Sequence, residues 1–211
     1  MLKRKKRVNK KEEKIRHMSI KLDIIGLYSG GYDKRYGVRE MARKLNINHQ
    51  TALNHLNLLV ENNILGYERK GRNKEVSLNL DNINTKLLID AAEALKSYAF
   101  LSKEHKIKII VQDIKKAADT IVVFGSYAKG VYDKESDLDL LILGKADKHG
   151  INRIRGNSTL EINIKYSTFD EFERLLRKGN NLPVETLKNH LLFGDTANVT
   201  GIFWRYFNER R

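Results

Sequence analysis

A glycine–serine pair followed after ten residues by two aspartates one residue apart constrains this chain more than any other feature. The pair, Gly125 and Ser126, comes directly after the apolar run 121–124, which is typical of a short buried strand. Small residues let backbone amides approach an anion closely. Ser126 can also cap the helix that residues 127–130 suggest, so that the helix N-terminus faces the same anion. The segment predicts a strand, a phosphate-binding turn and a short helix, in that order.

Asp137 and Asp139 lie in a second apolar segment, residues 137–143. The strand period of two puts both carboxylates on one face and Leu138 and Leu140 on the other. Two hard oxygen ligands side by side suit Mg²⁺. Together the two segments predict a site for a metal ion and a triphosphate. The alternative is a buried strand that ends in a turn, with both aspartates merely solvated.

The stretch GSYAKGVYDKESDLDLLI resembles the signature of the nucleotidyltransferase fold, the DNA polymerase β-like superfamily, in its minimal form. The resemblance implies that Asp137 and Asp139 hold two divalent ions, which carry a nucleoside triphosphate and activate an attacking hydroxyl. The nucleotide-binding residues that it implies are Gly125, Ser126, Lys129 and Ser136. It extends over residues 103–211 and implies a C-terminal domain with a mixed sheet flanked by helices.

The family normally carries a third carboxylate on a following strand, and Glu161 is the candidate here. Residues 160–166 alternate, with aliphatic side chains on one side and Glu161, Asn163 and Lys165 on the other. Glu161 is therefore expected to face the aspartate pair, as a third metal ligand and as the base that helps to deprotonate the hydroxyl. Asn163 cannot be that base, since an amide accepts no proton near neutral pH. The alternative is that Glu161 is an ordinary exposed strand residue.

The N-terminal half has the pattern of a winged helix-turn-helix domain over residues 19–81. Apolar residues at helical spacing predict a short helix, a turn and a second helix over residues 49–62, whose inward face is expected to hold Leu53, Leu56 and Val60. Two strand-like segments then flank a basic, glycine-containing tip, which predicts a β-hairpin. The order of parts resembles the domains of small prokaryotic transcription regulators.

Burial of that face leaves polar side chains outward at the start of the second helix, where a recognition helix meets base edges. The DNA contacts expected on this helix are His49, Gln50, Thr51, Asn54 and His55. Those expected on the hairpin, to phosphates or the minor groove, are Arg69, Lys70, Arg72 and Lys74. Gln50 and Asn54 suit adenine. The predicted partner is double-stranded DNA, and the alternative for each residue singly is a solvated surface position.

The formal net charge of +14 is concentrated toward the N-terminus, where residues 1–16 contain nine Lys or Arg and two Glu. Such a distribution is expected of a nucleic-acid-binding protein. Residues 1–18 are expected to form a basic arm, and they lack the apolar run of a secretory signal. No segment approaches the roughly eighteen apolar residues of a membrane span. Because the chain has no cysteine, a disulfide framework is excluded, and a cytoplasmic location is expected.

Residues 82–102 are expected to form a linker helix with an apolar stripe, which packs on its own N-terminal domain or on a second chain. Since winged helix regulators commonly bind two half-sites as two-fold dimers, a homodimer is favoured. The expected fold class is thus α+β or α/β, with domains at 19–81 and 103–211.

The leading functional hypothesis is a DNA-binding transcription regulator whose C-terminal domain binds a nucleoside triphosphate with Mg²⁺. Transfer of the nucleotidyl group to a hydroxyl is the expected chemistry if Glu161 completes the site. One alternative is primarily an enzyme, a minimal nucleotidyltransferase of the toxin–antitoxin kind that modifies a protein, a tRNA or a small molecule. The other is a non-catalytic nucleotide sensor that controls DNA binding.

Overall fold

The computed structural model describes residues 18–70 and 73–211 of the chain. Nearly all of the predicted basic arm lies outside the described residues, and so do Arg72 and the side chains of Arg69 and Lys70. Within the described ranges, no helix is both long and apolar enough to cross a bilayer.

The chain divides into two compact units. The first comprises the residues up to Tyr28 together with Tyr32–Ala92, and the second comprises Ser29–Gly31 and Glu93–Arg211. The long helix between them is continuous, and the division falls inside it.

The first unit combines short helices with a three-stranded antiparallel sheet. Its elements are α1 (18–26), β1 (Tyr36–Gly37), α2 (Val38–Lys44), α3 (His49–Glu61), β2 (Leu65–Lys70), β3 (Asn73–Leu78) and the first half of α4 (Ile83–Lys103). The strands lie in the order β1-β3-β2. Asn46 adopts a left-handed conformation, with φ of 51°, in the turn between α2 and α3. The side chain of Asn48 caps α3 by accepting a hydrogen bond from the Thr51 amide at 2.7 Å. The winged helix assignment of this unit stays a prediction.

Helix α3 buries a different face from the one predicted. Its buried residues are Ala52, His55, Leu56 and Leu59, whereas Leu53 and Val60 are only partly covered. His55 was expected to point outward, but its exposed fraction is 3%. The small side chain of Ala52 and the spacing of residues 52, 56 and 59 define an apolar stripe that includes position 55. The expectation that His55 lies on the exposed face is therefore wrong.

Helix α4 also turns a different face inward. The expected apolar stripe contains Leu87 and Tyr98, which are 58% and 70% exposed. The buried face combines Ile89 and Ala92 with polar residues that bond to interior backbone groups. The Thr85 hydroxyl donates to the Ile64 carbonyl, and the Ser97 hydroxyl accepts from the Leu192 amide at 3.0 Å. The homodimer through the exposed stripe stays a prediction.

The second unit is a mixed four-stranded sheet flanked by helices. After the second half of α4, its elements are α5 (His105–Lys115), β4 (Ala118–Phe124), α6 (Gly125–Lys129), β5 (Leu138–Ala146), α7 (Lys148–Gly156), β6 (Ile162–Ser167), α8 (Phe169–Arg177), α9 (Asn181–Lys188), β7 (Leu191–Gly194) and α10 (Thr196–Asn208). The strand order is β6-β5-β4-β7. Strand β4 is antiparallel to β5 and β7, and β5 is parallel to β6 through the crossover helix α7. The predicted mixed sheet with flanking helices is thus confirmed.

The centre of this sheet is apolar on both faces. Val122 and Val123 of β4 and Leu140, Leu141 and Ile142 of β5 are fully buried. Helices α5 and α7 cover one face, and the Phe172 and Phe203 rings of α8 and α10 lie 6.2 Å apart in a separate apolar layer. The candidate site lies at the end of this apolar pair, where β4 ends and β5 begins.

Candidate active site

The glycine–serine turn and the aspartates meet at one end of the β4–β5 pair. Phe124, the last residue of β4, lies opposite Asp139 in the antiparallel register. Gly125 follows with φ of +69°, a left-handed conformation that favours glycine. A Cβ atom on Gly125 would lie 2.1 Å from the Asp139 Oδ2 atom. Glycine is therefore required here for two reasons, the backbone conformation and the close approach of the carboxylate.

Helix α6 begins at Gly125 rather than after Ser126. Its N-cap is Phe124, which makes no side-chain capping bond, so the predicted capping role of Ser126 is wrong. Because Gly125 takes a helix-starting position, Ser126 is drawn into the first turn, where its backbone amide has no partner within the helix. The helix ends at Gly130, which is left-handed with φ of 71°.

Asp137 immediately precedes β5, Asp139 is its second residue, and their carboxylates lie on the same side, as the spacing predicts. A third polar side chain joins them: the Asn163 Nδ2 atom donates to Asp137 Oδ2 at 3.3 Å and to Asp139 Oδ1 at 3.4 Å. The parallel register places Asn163 of β6 directly opposite Asp139. One amide thus bridges two carboxylates that would otherwise repel each other.

Glu161 lies just before strand β6, and its position is set by its backbone. Strand β6 begins at Ile162, so Glu161 precedes it, is exposed, and is held through its backbone carbonyl, which accepts from the Leu138 amide at 2.8 Å. The turn before it is closed by Ser158, whose hydroxyl accepts from the Leu160 amide. Throughout the described part of the chain, no three His, Cys, Asp or Glu side chains are close enough together to hold a metal ion. The role of Glu161 as a third metal ligand stays a prediction.

The two other predicted nucleotide-binding residues are engaged by neighbours. The Lys129 ammonium forms an ion pair with Glu185 Oε2 of α9 at 3.3 Å. The Ser136 hydroxyl donates to Asp133 Oδ1 at 3.0 Å and accepts from the Asp133 amide. Ser136 therefore shapes the turn before Asp137, and Lys129 lies at the outer end of α6. Their roles in nucleotide binding stay predictions.

One aromatic hydroxyl of α6, that of Tyr127, lies near the residue that precedes Asp137. Burial raises the pKa of the Tyr127 hydroxyl, and the negative charges of Glu104, Asp133 and Asp137 raise it further. Tyr127 thus stays a neutral hydrogen-bond donor, and its hydroxyl donates to the Ser136 carbonyl at 3.4 Å. This bond connects helix α6 to the residue immediately before Asp137.

The donor set fits a divalent metal ion. Two carboxylates lie side by side, and the third neighbour is an amide, whose oxygen is also a hard ligand if its side chain turns over. Mg²⁺ in nucleotide sites is typically bound by one or two carboxylates together with substrate phosphates and water. Asp137 and Asp139 would hold the ion.

Asn163 is a site residue that the sequence pattern did not single out. Alternation alone puts Asn163 and Glu161 on the same side of the strand, so the pattern contained the information that Asn163 could face the aspartates. What the pattern lacked was the register of β6 against β5, which decides which of the two lies beside Asp139.

Comparison with known proteins agrees with this geometry. The family model described as nucleotidyltransferase domain matches residues 104–189. Three proteins of Methanocaldococcus jannaschii, each bearing the name "Putative protein adenylyltransferase", are similar to the chain. One is 41% identical over 70 residues, which are 31% of this chain and 70% of the relative. Another is 32% identical over 85 residues, 38% of this chain and 85% of the relative. The third is 31% identical over 87 residues, 41% of this chain and 64% of the relative.

No solved structure matches the chain significantly. The family match lies wholly within the second compact unit and contains the Gly-Ser turn, both aspartates and Asn163. The chain therefore belongs to the nucleotidyltransferase domain family.

Proposed function

We propose that the second unit transfers an adenylyl group from ATP to a hydroxyl group of a protein, with Mg²⁺ as the metal ion. The observation that carries this proposal is the pair Asp137 and Asp139, bridged by Asn163 and packed against Gly125. The names of the three relatives support a protein as acceptor and an adenylyl group as the group transferred. This choice favours the enzyme hypothesis over the transcription regulator.

In the proposed reaction the acceptor oxygen forms a bond to the α-phosphorus, the bond from that phosphorus to the bridging oxygen breaks, and pyrophosphate leaves. Bound Mg²⁺ supplies positive charge that neutralises the triphosphate and polarises its oxygens. The chain supplies the positioning: backbone amides of the turn at Gly125 and Ser126 bind phosphate oxygens, and the two aspartates fix the metal ion. Asn163 keeps the carboxylates together before the metal ion arrives.

The acceptor hydroxyl also loses a proton, and the amide of Asn163 cannot take it. Glu161 is exposed and directly precedes Ile162, the residue of β6 that pairs with Leu138. Since Leu138 directly follows Asp137, we take the Glu161 carboxylate as the candidate acceptor of that proton. Replacement Glu161→Gln is expected to lower transfer by about 100-fold, the lower end of the usual contribution of a general base. ATP binding should stay the same in calorimetry. If transfer is unaffected, the proton leaves by another route.

The test of the function uses ATP labelled at the α-phosphate, with ATP labelled at the γ-phosphate in parallel, Mg²⁺ and a cell lysate. Transfer of an adenylyl group retains only the α-label on protein. The double variant Asp137→Asn and Asp139→Asn should lose labelling and Mg²⁺-dependent ATP binding, because both anionic ligands are gone. Asp170→Asn, at an exposed position of α8, is the matched control and should behave as the wild type.

Three results would contradict the proposal in different ways. Retention of the γ-label instead would indicate a kinase. Labelling of RNA rather than protein would change the acceptor. ATP binding without any labelled product would favour the nucleotide sensor.

We also propose that the first unit binds double-stranded DNA. Three features support this: the exposed positions of His49, Gln50 and Asn54 at the start of α3, the hairpin β2–β3 that follows, and the net positive charge of the chain. Gln50 Nε2 donates to Asn54 Oδ1 at 2.8 Å, so the two amides already form one polar surface. On the hairpin, the Lys74 ammonium lies 5.3 Å from the centre of the Tyr67 ring.

Fluorescence anisotropy with a duplex from the promoter of its own gene and a scrambled duplex, over a salt series, tests this second function. Gln50→Ala with Asn54→Ala should reduce the preference for the promoter, because each good bidentate base contact contributes about 1–3 kcal/mol of discrimination. Glu61→Ala, at the other end of α3, is the control. Equal and salt-insensitive binding of both duplexes by the wild type would eliminate DNA recognition.

A further inference from the structure

A cleft of about 770 Å³ opens next to the candidate active site, between the start of α5 and the loop that follows α6. Its apolar lining comes from Ile107, Tyr127 and Leu160. Ile107 and Tyr127 are 2% and 7% exposed, so they form a fixed floor rather than mobile surface groups. A cleft of this volume holds a few residues of a peptide.

The rim of the cleft carries cations that are not neutralised. Lys103, Lys106 and Lys134 line it, all three are exposed, and none forms an ion pair within residues 18–70 and 73–211. The two carboxylates on the rim accept hydrogen bonds from neighbouring groups. Glu104 Oε1 accepts a hydrogen bond from the Tyr132 hydroxyl at 2.5 Å, and Asp133 Oδ1 accepts from the Glu135 amide and the Ser136 hydroxyl. Three lysines against two ionised carboxylates leave the rim with one excess positive charge above an apolar floor.

Two residues that line the cleft, Tyr127 and Leu160, connect it to the start of β5. Tyr127 bonds to the carbonyl of Ser136, which precedes Asp137. Leu160 precedes Glu161, whose carbonyl accepts from the Leu138 amide. The cleft lining is therefore connected to the residues that flank Asp137 on both sides.

The aromatic rings beside the cleft are not available to a nucleobase. Tyr127 and Tyr132 stack on each other with centroids 4.3 Å apart, and Phe100 packs edge-on against both at 6.5 and 6.4 Å. Recognition of single-stranded nucleic acid depends on free aromatic faces and a continuous cationic track. Here Tyr127 and Tyr132 stack on each other, and the aspartate pair interrupts the positive charge. The lysines and the apolar floor of the cleft suit a ligand that has carboxylates and an aliphatic or aromatic side chain.

We propose that this cleft binds an acidic segment of the protein that accepts the nucleotidyl group. An apolar side chain of that segment lies on Ile107, Tyr127 and Leu160, and its carboxylates pair with Lys103, Lys106 and Lys134. The identity of the ligand as the acceptor rests on the proposed function, whereas the binding of an acidic segment does not. Complementary charge of this kind determines partner choice and the rate of association.

The test uses the full chain and a fluorescein-labelled octapeptide of Glu and Asp residues around a central Leu-Tyr, with binding measured by anisotropy. Lys106→Glu with Lys134→Glu should weaken binding about tenfold or more, since two attractive charges become repulsive. Lys106→Gln with Lys134→Gln should lie between this variant and the wild type. Lys178→Glu with Lys188→Glu has the same net charge, changes exposed lysines elsewhere in the unit, and should bind like the wild type. Circular dichroism of all variants establishes that they fold.

The variant Asp137→Asn with Asp139→Asn tests binding of the acidic segment independently of nucleotidyl transfer. It should bind the octapeptide even though it transfers nothing. Failure of the wild type to bind the acidic octapeptide, equal loss in the control pair, or tighter Lys106-dependent binding of an oligothymidylate would overturn the acidic-segment proposal. None of these outcomes would change the labelling experiment with ATP.

Discussion

Replacement of Asn163 by Asp tests most directly how the carboxylate pair is held. The Asn163 amide nitrogen lies 3.3 Å from Asp137 Oδ2 and 3.4 Å from Asp139 Oδ1, and it donates to both. In Asn163→Asp a negative charge takes the place of that donor. Two attractive contacts become two repulsions, while the shape of the side chain is almost unchanged.

The size of the effect follows from the distances. At 3.3 Å two unit charges repel by about 5 kcal/mol with an effective dielectric constant of about 20, and by about 1 kcal/mol in bulk water. All three side chains are half-buried, so rotation and solvent bring each repulsion toward the lower value. We expect the variant to lose about 2–4 kcal/mol of stability without metal ions, a fall in Tm of about 4–16 °C.

Thermal unfolding with chelator and with a series of Mg²⁺ concentrations is the assay. A third carboxylate strengthens binding of a cation, so Mg²⁺ should raise the Tm of Asn163→Asp more than that of the wild type, by mass action on the folded state. Asn152→Asp, at an exposed position of α7, is the matched control. Two results together would contradict the bridging role of the amide. They are a Tm of Asn163→Asp in chelator equal to that of the wild type, and a rise in Tm with Mg²⁺ no larger than that of the wild type.

Two further predictions concern the turn and the acid stability of the unit. Gly125→Ala should abolish Mg²⁺-dependent ATP binding in calorimetry, because its Cβ would displace the Asp139 carboxylate in addition to costing about 1–2 kcal/mol of left-handed strain. Gly130→Ala, with φ of +71° and no described atom within 4 Å of its Cβ, should show the strain alone and keep ATP binding. The hydrogen bond from Arg205, with that from Arg177, lowers the pKa of Glu173 from 4.5 to about 2. A lowered folded-state pKa stabilises the fold above the unfolded value, so this contribution should disappear between about pH 4.5 and 2. Urea unfolding over that range should show a smaller loss of stability with pH in Glu173→Gln than in the wild type, and identical slopes would refute the assignment.

Local sequence patterns predicted the parts of the site that depend on one segment each. The run 121–124 forms the end of β4, and the alternation from Asp137 places both carboxylates on one side at the start of β5. The spacing of Gly125, Ser126 and the aspartates was informative because it joins two neighbouring antiparallel strands. These are interactions of residues close in the chain.

Local patterns were less informative where a second segment decides the outcome. Glu161 and Asn163 are equivalent by alternation, and only the pairing of β6 with β5 selects Asn163. On α3, Ala52 and Leu59 are buried and Leu53 and Val60 are not, because the buried face depends on the elements that the helix packs against. His55 lies on that buried face. On α4, a rule that buries apolar residues could not anticipate that Thr85 and Ser97 satisfy interior backbone groups.

The antiparallel pairing of β4 with β5 has a consequence for how such a protein can change. The strands hold both ends of the segment between Gly125 and Asp137 in fixed register, whatever lies between them. That intervening segment supplies Tyr132, Asp133 and Lys134 to the cleft. Under the proposed function, substitutions or insertions there would alter which partner is recognised while the Gly-Ser turn and the carboxylates stay in place. The proposed chemistry and the choice of substrate would then depend on different segments, so that new specificities would not require a new reaction centre.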